Sequence, residues 1–216
     1  IQKEKRVIEI LNEKGKEDAS FICMCDRFSS LKKFSGEVRD ASGNIIRKIK
    51  KSELRITEYS AELVSDDYYY FFEYTPSRYP VTITYEWEIK NSDGLIGYPS
   101  FVPQKNYNQS VAQASYRIVT PAGNPCRYRT INMPIEVSQQ QAADGNWLTE
   151  VKVQALPALK KEPYSPSLSE LLPRIYFTPR DFSFEGTQGS MESWQTYGKW
   201  QYQLLTGRDQ LPPALK

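Results

Sequence analysis

The sequence predicts a mainly β protein: an antiparallel β-sandwich with a proline-rich extended segment and a C-terminal α-helix. Three observations predict it. Val81, Ile83, Tyr85, Trp87 and Ile89 alternate with Thr82, Thr84, Glu86, Glu88 and Lys90, the period of two that gives a strand one buried and one wet face. The pattern returns where Trp147, Thr149, Val151, Val153 and Ala155 alternate with Leu148, Glu150, Lys152 and Gln154. Turn formers punctuate the chain, with 14 prolines, 11 glycines, and Asp-Gly pairs at 93–94 and 144–145; short strands between such signals read as a sandwich.

Taken in order, residues 1–37 offer two short apolar runs, Val7–Leu11 and Phe21–Met24, each a strand or a buried piece. Ala41-Ser42-Gly43-Asn44 reads as a turn between Glu37–Arg39 and Ile45–Ile49. Arg47–Lys51, the densest basic stretch, is interrupted by Ile49 as the wet face of a strand would be. After the alternating stretch that ends near Asn91, Asp93-Gly94 predicts a tight hairpin. Ala114, Tyr116 and Ile118 form one face of a further strand that Pro121 ends.

Pro157, Pro163, Pro166, Pro173 and Pro179 follow too closely for most helices, so residues 156–181 read as an extended segment lying across the sandwich. Trp194, Tyr197, Gln201 and Leu204 then recur at helical spacing, with Glu192 in the expected first turn and Gly207 as the C-terminal cap. Trp200 falls outside that stripe, which gives the helix two aromatic faces. The expected division is a β-sandwich over 1–186, then a helix and the start of a linker over 187–216.

Composition excludes several functions. With 28 Lys+Arg against 26 Asp+Glu, no cationic excess exists to neutralise phosphates, so nucleic acid is not an expected partner. No run of about 18 apolar residues is present, so no membrane span is expected. The chain has no histidine, and a Ser-His-Asp or Cys-His-Asp arrangement needs one. Cys23 and Cys25 share a strand face at about 6.6 Å, poor disulfide geometry; with Cys126 they read as buried small hydrophobes. Three scattered thiols without imidazole make no zinc site, and no glycine-rich phosphate loop occurs, so no metal or cofactor is expected.

Two signals remain. Glu86 and Glu88 flank Trp87 about 6.6 Å apart on a wet strand face, near the spacing of an inverting glycosidase, although glutamates on such a face are ordinary. Tyr68, Tyr70 and Phe72 would share one side of a strand, where exposed rings stack on sugars; the alternative is a central strand with its rings buried.

The run Val64-Ser-Asp-Asp-Tyr68, then Tyr79-Pro80-Val81 leading into Thr84-Tyr-Glu-Trp-Glu88, resembles the uncharacterised domain that precedes transglutaminase-like domains in secreted bacterial proteins. Pro99–Gln104 with Ser110-Val111, Glu162-Pro-Tyr-Ser-Pro166, Phe182, Ser193-Trp194, Gly198-Lys-Trp200 and Gly207-Arg208 are similar to its later passages. The resemblance implies a β domain ahead of a papain-like core, whose Cys, His and Asp would lie beyond Lys216. It also implies a secreted or periplasmic location.

The expected function is therefore a non-catalytic structural or substrate-presenting domain whose partner is a downstream domain of the same polypeptide. Trp194, Tyr197 and Trp200 are its candidate docking residues. The alternative is a carbohydrate- or peptide-binding module using Tyr68, Tyr70 and Phe72, with glycan or peptide as partner.

Overall fold

A computed structural model describes residues 1–58, 66–93, 95–132 and 135–208. Val64 and Ser65 of the first resemblance motif, Gly94 of the first Asp-Gly pair, and the linker residues from 209 onward lie outside that set. The chain divides into two compact units, Ile1–Gly94 and Leu95–Lys216, where the sequence had suggested one sandwich reaching residue 186.

The first unit contains β1 (Gln2–Ile10), β2 (Phe21–Cys25), β3 (Ser29–Arg39), β4 (Ile45–Lys50), β5 (Arg55–Glu58), β6 (Tyr68–Phe72) and β7 (Val81–Asn91). They form two antiparallel sheets, ordered β1-β7-β3-β4 and β2-β6-β5. The alternation in β7 works as expected: Val81, Ile83, Tyr85 and Ile89 are buried, while Glu86 and Lys90 are exposed. Ala41–Asn44 makes the β3–β4 turn, closed by Asp40, whose carboxylate accepts from the Ser42 and Asn44 amides at 2.9 Å each. Those bonds hold the Asp40 carboxyl below its ordinary range, so turn chemistry accounts for Asp40-Ala-Ser-Gly-Asn44.

One core joins the two sheets of this unit. Phe21 from β2 meets Phe34 of β3 at 4.5 Å and Tyr85 and Trp87 of β7 at 5.4 and 5.2 Å between ring centroids. The short 3-10 segment Glu13–Ala19 links β1 to β2, with the Asn12 side chain accepting from the Lys14 amide. Its carbonyl end is held from inside: the Tyr85 hydroxyl donates to Ala19 O at 2.6 Å, and Arg6 donates to Ser20 O at 2.7 Å. The first residues, only faintly patterned, thus contribute β1, β2 and most of β3 to this core.

The second unit contains β8 (Tyr98–Phe101), β9 (Val111–Thr120), β10 (Arg127–Ile131), β11 (Val137–Gln141), β12 (Trp147–Leu156), a one-turn α1 (Leu168–Leu171), β13 (Arg174–Thr178), β14 (Asp181–Phe184), β15 (Thr187–Ser190) and α2 (Trp194–Leu205). Two three-stranded antiparallel sheets, β11-β12-β9 and β10-β13-β8, close over Phe101, Ile118, Val151, Val153, Ile175 and Phe177. Tyr116 lies between the rings of Phe101 and Phe177, with centroids at 5.8 and 5.2 Å. The mainly β, antiparallel sandwich class and the terminal helix are as the sequence predicts.

Local expectations fail for identifiable reasons. Asp93 does not lead into a hairpin: β7 and β8 belong to different sheets and different units. An Asp-Gly pair favours a tight turn, but pairing needs a matching strand within reach. The proline-rich segment is irregular over 157–167, where Gln104, itself buried, donates to Pro157 O at 3.0 Å. Between Pro173 and Pro179, however, Arg174–Thr178 is the central strand of its sheet, with Ile175 and Phe177 buried. Proline excludes the donor only at its own position, so the intervening residues pair freely.

In β12 the expected inward series ends at Val153. Ala155 adopts φ +54° and turns outward, so Leu156 packs against the core in its place. At α2 the cap is Ser193, whose hydroxyl accepts from the Thr196 amide at 3.2 Å; Glu192 lies before the cap and Gly189 and Ser190 belong to β15. Gly207 follows the helix at φ +77°.

Three outcomes are expected. Left-handed backbone costs an alanine about 1–2 kcal/mol, so Ala155→Gly raises stability by roughly 1 kcal/mol, seen as a higher urea midpoint. Tyr85→Phe leaves the Ala19 carbonyl buried without its donor, a loss of about 1–2 kcal/mol. Burial pushes the Tyr85 phenol from 10.0 up to about 12 and the Cys23 thiol from 9.0 up to about 12. A raised folded pKa keeps the neutral form favoured, so both contributions are full below the unfolded values and are lost as pH climbs through this window. Urea unfolding followed from pH 9.0 to about 12 should show a steeper fall for the wild type than for Tyr85→Phe.

Candidate functional site

Strand geometry decides what the ring-rich β6 can do. In the antiparallel pair with β2, Phe72 faces Phe21, Tyr70 faces Cys23 and Tyr68 faces Cys25. Cross-strand partners share a face, and Phe21, Cys23 and Cys25 are all buried. Tyr68, Tyr70 and Phe72 therefore turn toward the core and pack against it. The Tyr68 and Tyr70 rings meet edge to face at 5.8 Å, Lys51 covers Tyr70 at 5.9 Å and Arg47 covers Phe72 at 5.4 Å.

The sugar-stacking candidates are thus the covered set, which corrects the choice of face. The outward set is Tyr69 and Phe71, paired with Met24 and Ile22. Ile22 and Met24 are exposed, and Arg55 lies over Phe71 at 5.9 Å. The alternation Phe21, Cys23, Cys25 held the clue, because a partner strand inherits its neighbour's inner face.

The helix α2 is anchored by one side. Trp200 is buried edge-on against Phe182 at 4.9 Å and Phe184 at 6.1 Å. Both phenylalanines sit on β14, paired with β15 through the Glu185-Gly186 turn. Gly189 opposite Phe182 must stay a glycine, since a Cβ there would come within 2.5 Å of Phe182 and 2.9 Å of Trp200. Arg127 ties the chain just before the helix by donating to Met191 O at 2.6 Å.

At 3.6 residues per turn, Trp194, Tyr202 and Leu205 project from the side opposite Trp200. Their exposures are 86%, 74% and 61%. Tyr197 lies between the two sides, its ring 6.4 Å from Trp194 and 5.5 Å from Trp200. Of the three expected docking residues, Trp194 is open, Tyr197 is half-buried and Trp200 is taken up inside the unit. Tyr202 and Leu205 join the open side. Sequence spacing could not find them, because the choice between two aromatic faces rests on where Phe182 and Phe184 stand.

The acidic pair is spoken for. Glu86 and Glu88 lie on the wet face of β7, at 2.7 Å from Lys5 and 3.2 Å from Lys33. Glu86 borders an open concavity of about 620 Å³ shared with Lys5, Val7, Ser35, Glu37 and Lys48; Glu88 is not part of its lining. A sheet face of this kind gives no cleft in which two carboxylates could flank a glycosidic bond. Ser29 and Lys32, and Ser30 and Lys33, have the spacing of a serine–lysine pair. Yet the Ser29 hydroxyl donates to Asp26 at 2.7 Å and Lys33 serves Glu88.

Cys23, Cys25 and Cys126 are free and buried, as expected for small core residues. Burial raises the Cys23 and Cys25 thiols, the opposite of what a thiolate nucleophile requires. Cys126 lies 3.1 Å from the Thr149 hydroxyl, to which Gln139 donates at 3.0 Å. Among the described residues no three of His, Cys, Asp and Glu gather as a metal site would require, and no helix is long and apolar enough to cross a membrane.

Similarity to known proteins agrees with this architecture. A solved crystal structure described as "a putative protease from Parabacteroides distasonis ATCC 8503" superposes with a TM-score of 0.67 at 16% identity, over 82% of this chain. The match takes in 36% of that other chain, so this chain spans about a third of its length. At such identity the likeness is one of fold. Among curated proteins, none matches. A family model described as a domain of unknown function with solved structure, DUF3857, matches residues 2–160, ending before β13 although β13 completes the second core. With the first unit, the opening part of the second and more than half of the chain inside that match, the chain belongs to the DUF3857 family.

Proposed function

We propose that this chain is a non-catalytic, structural or substrate-presenting module of a larger secreted or periplasmic protein, and that it docks onto a transglutaminase-like, papain-like thiol core through α2. The observation that carries the reading is the split helix. One side is locked by Trp200 in a ring cluster, while Trp194, Tyr202 and Leu205 stand open on the other. Aromatic anchors on a rigid element are what a docking interface uses.

Three further features support it. The chain has no histidine, its thiols are buried, and its two outward glutamates are ion-paired. The fold also recurs as about a third of a chain described as a putative protease. A glycan- or peptide-binding role is the second reading. It moves to the β2–β6 face bearing Ile22, Met24, Tyr69 and Phe71, since Tyr68, Tyr70 and Phe72 face inward.

The 216-residue chain and the product of its complete reading frame provide the test. Neither peptide hydrolysis nor transamidation is expected from the chain alone. Trp194 should report water in the chain and an apolar surrounding in the longer protein, read as a blue shift of emission that Trp194→Ala removes. Removing such an anchor costs an interface about 2 kcal/mol or more. Turnover by the chain alone, or a Trp194 equally wet in both proteins, would sink the proposal. Gly189→Ala should unseat α2, costing about 1–3 kcal/mol as an overpacked core does, with a red shift of Trp200 emission on mild denaturation.

A further inference from the structure

We propose that β1 is a self-pairing edge, through which two copies of this chain join their four-stranded sheets antiparallel about a two-fold axis. In the order β1-β7-β3-β4, β1 stands at one end, and among the described residues no strand pairs with its outer side. The strand is regular over Gln2–Ile10, without a bulge against β7. An edge of this length offers a row of backbone donors and acceptors to any matching strand.

Side chains on its wet face choose the match. Lys5, Val7 and Glu9 pair with Glu86, Thr84 and Thr82 of β7 and are exposed, Val7 by 57%. A cation, an apolar residue and an anion in that order form a pattern that complements itself when reversed. With Val7 opposite Val7 of the second copy, Lys5 meets Glu9 on both sides of the axis. On the inner face the same register sets Glu4 against Ile10 and Arg6 against Ile8, so no like charges oppose one another over residues 4–10.

Neighbouring registers are penalised. Two-fold pairing admits only shifts that keep each residue on its own face. Shifting one way by the smallest such step places Arg6 against Arg6, and the next step places Lys5 against Lys5. Shifting the other way retains only residues 6–10 and leaves Lys5 without a partner. Opposite charges directly across an antiparallel pair stabilise it and like charges destabilise it, so the edge selects one alignment. Main-chain pairing of this extent is smaller than a standard protein interface. The dimer is therefore weak, concentration-dependent and sensitive to salt.

The test is sedimentation equilibrium of the 216-residue chain over a concentration series, with circular dichroism to verify each fold. The wild type should approach twice the monomer mass as concentration rises, with less dimer at high salt. Val7→Lys and Val7→Glu each place like charges across the axis, so each alone should stay monomeric; mixed together they should form the heterodimer. Val7 is exposed, so both variants should fold. Glu9→Lys, which sets lysine against Lys5, gives the same loss at a second position. A wild type that stays monomeric at every concentration overturns the proposal. So does a Val7→Lys variant that dimerises as well as the wild type.

Discussion

The buried phenol of Tyr85 is the constraint on which the first unit depends. The ring has no exposed surface, so its apolar body contributes to the core while its hydroxyl must find a partner there. That partner is the Ala19 carbonyl, at the end of the 3-10 segment between β1 and β2. One residue of the four-stranded sheet thus fixes the connection into the three-stranded sheet. Arg6 reinforces it by donating to Asp18 O and Ser20 O, with its guanidinium 5.7 Å from the Tyr85 ring centroid. A buried carbonyl left without a donor costs more than the bond itself returns, so these polar contacts specify one arrangement among the many that an apolar core alone would accept.

The second unit has polar ties of its own, with Gln139 donating to Cys126 O at 2.7 Å and to the Thr149 hydroxyl at 3.0 Å. Its sheets meet through Tyr116 stacked between Phe101 and Phe177, and through Ile175, Val151 and Val153. Asn124 holds the entry to the terminal hairpin by accepting from Arg180 and Asp181 amides and donating to Asp181 O. The hairpin then presents Phe182 and Phe184 as a seat for Trp200. A helix of 12 residues is marginal by itself, so α2 owes its persistence to that seat. The side of α2 turned away from it owes nothing to this unit, which is why large apolar residues there carry the functional argument.

The proposal that this module is non-catalytic starts from residue chemistry before geometry enters. Without histidine, a neutral-pH base would have to come from a perturbed lysine, carboxylate or thiolate. Lys5 and Lys33 are ion-paired, and burial pushes the Cys23 and Cys25 thiols toward the neutral form. The same ion pairs that disarm Glu86 and Glu88 are ordinary cross-strand contacts of a solvated sheet face.

What the sequence determined by itself is local and periodic. Alternation wrote β7, β9 and most of β12, the Asp40–Asn44 turn closed where its residues required, and helical spacing placed α2 within a few residues. These signals depend on neighbours a few positions apart, and solvent exposure reads them directly. Tertiary structure decided the rest. It separated the chain near residue 94, where a turn sequence found no partner strand. It drew Arg174–Thr178 into the centre of a sheet between two prolines, and broke the β12 alternation at Ala155. It also chose which rings turn away from the core, Tyr69 over Tyr68 and Trp194 over Trp200. Each choice depends on a partner strand or hairpin distant in sequence, and a period of two or 3.6 names two faces without saying which one the core will claim.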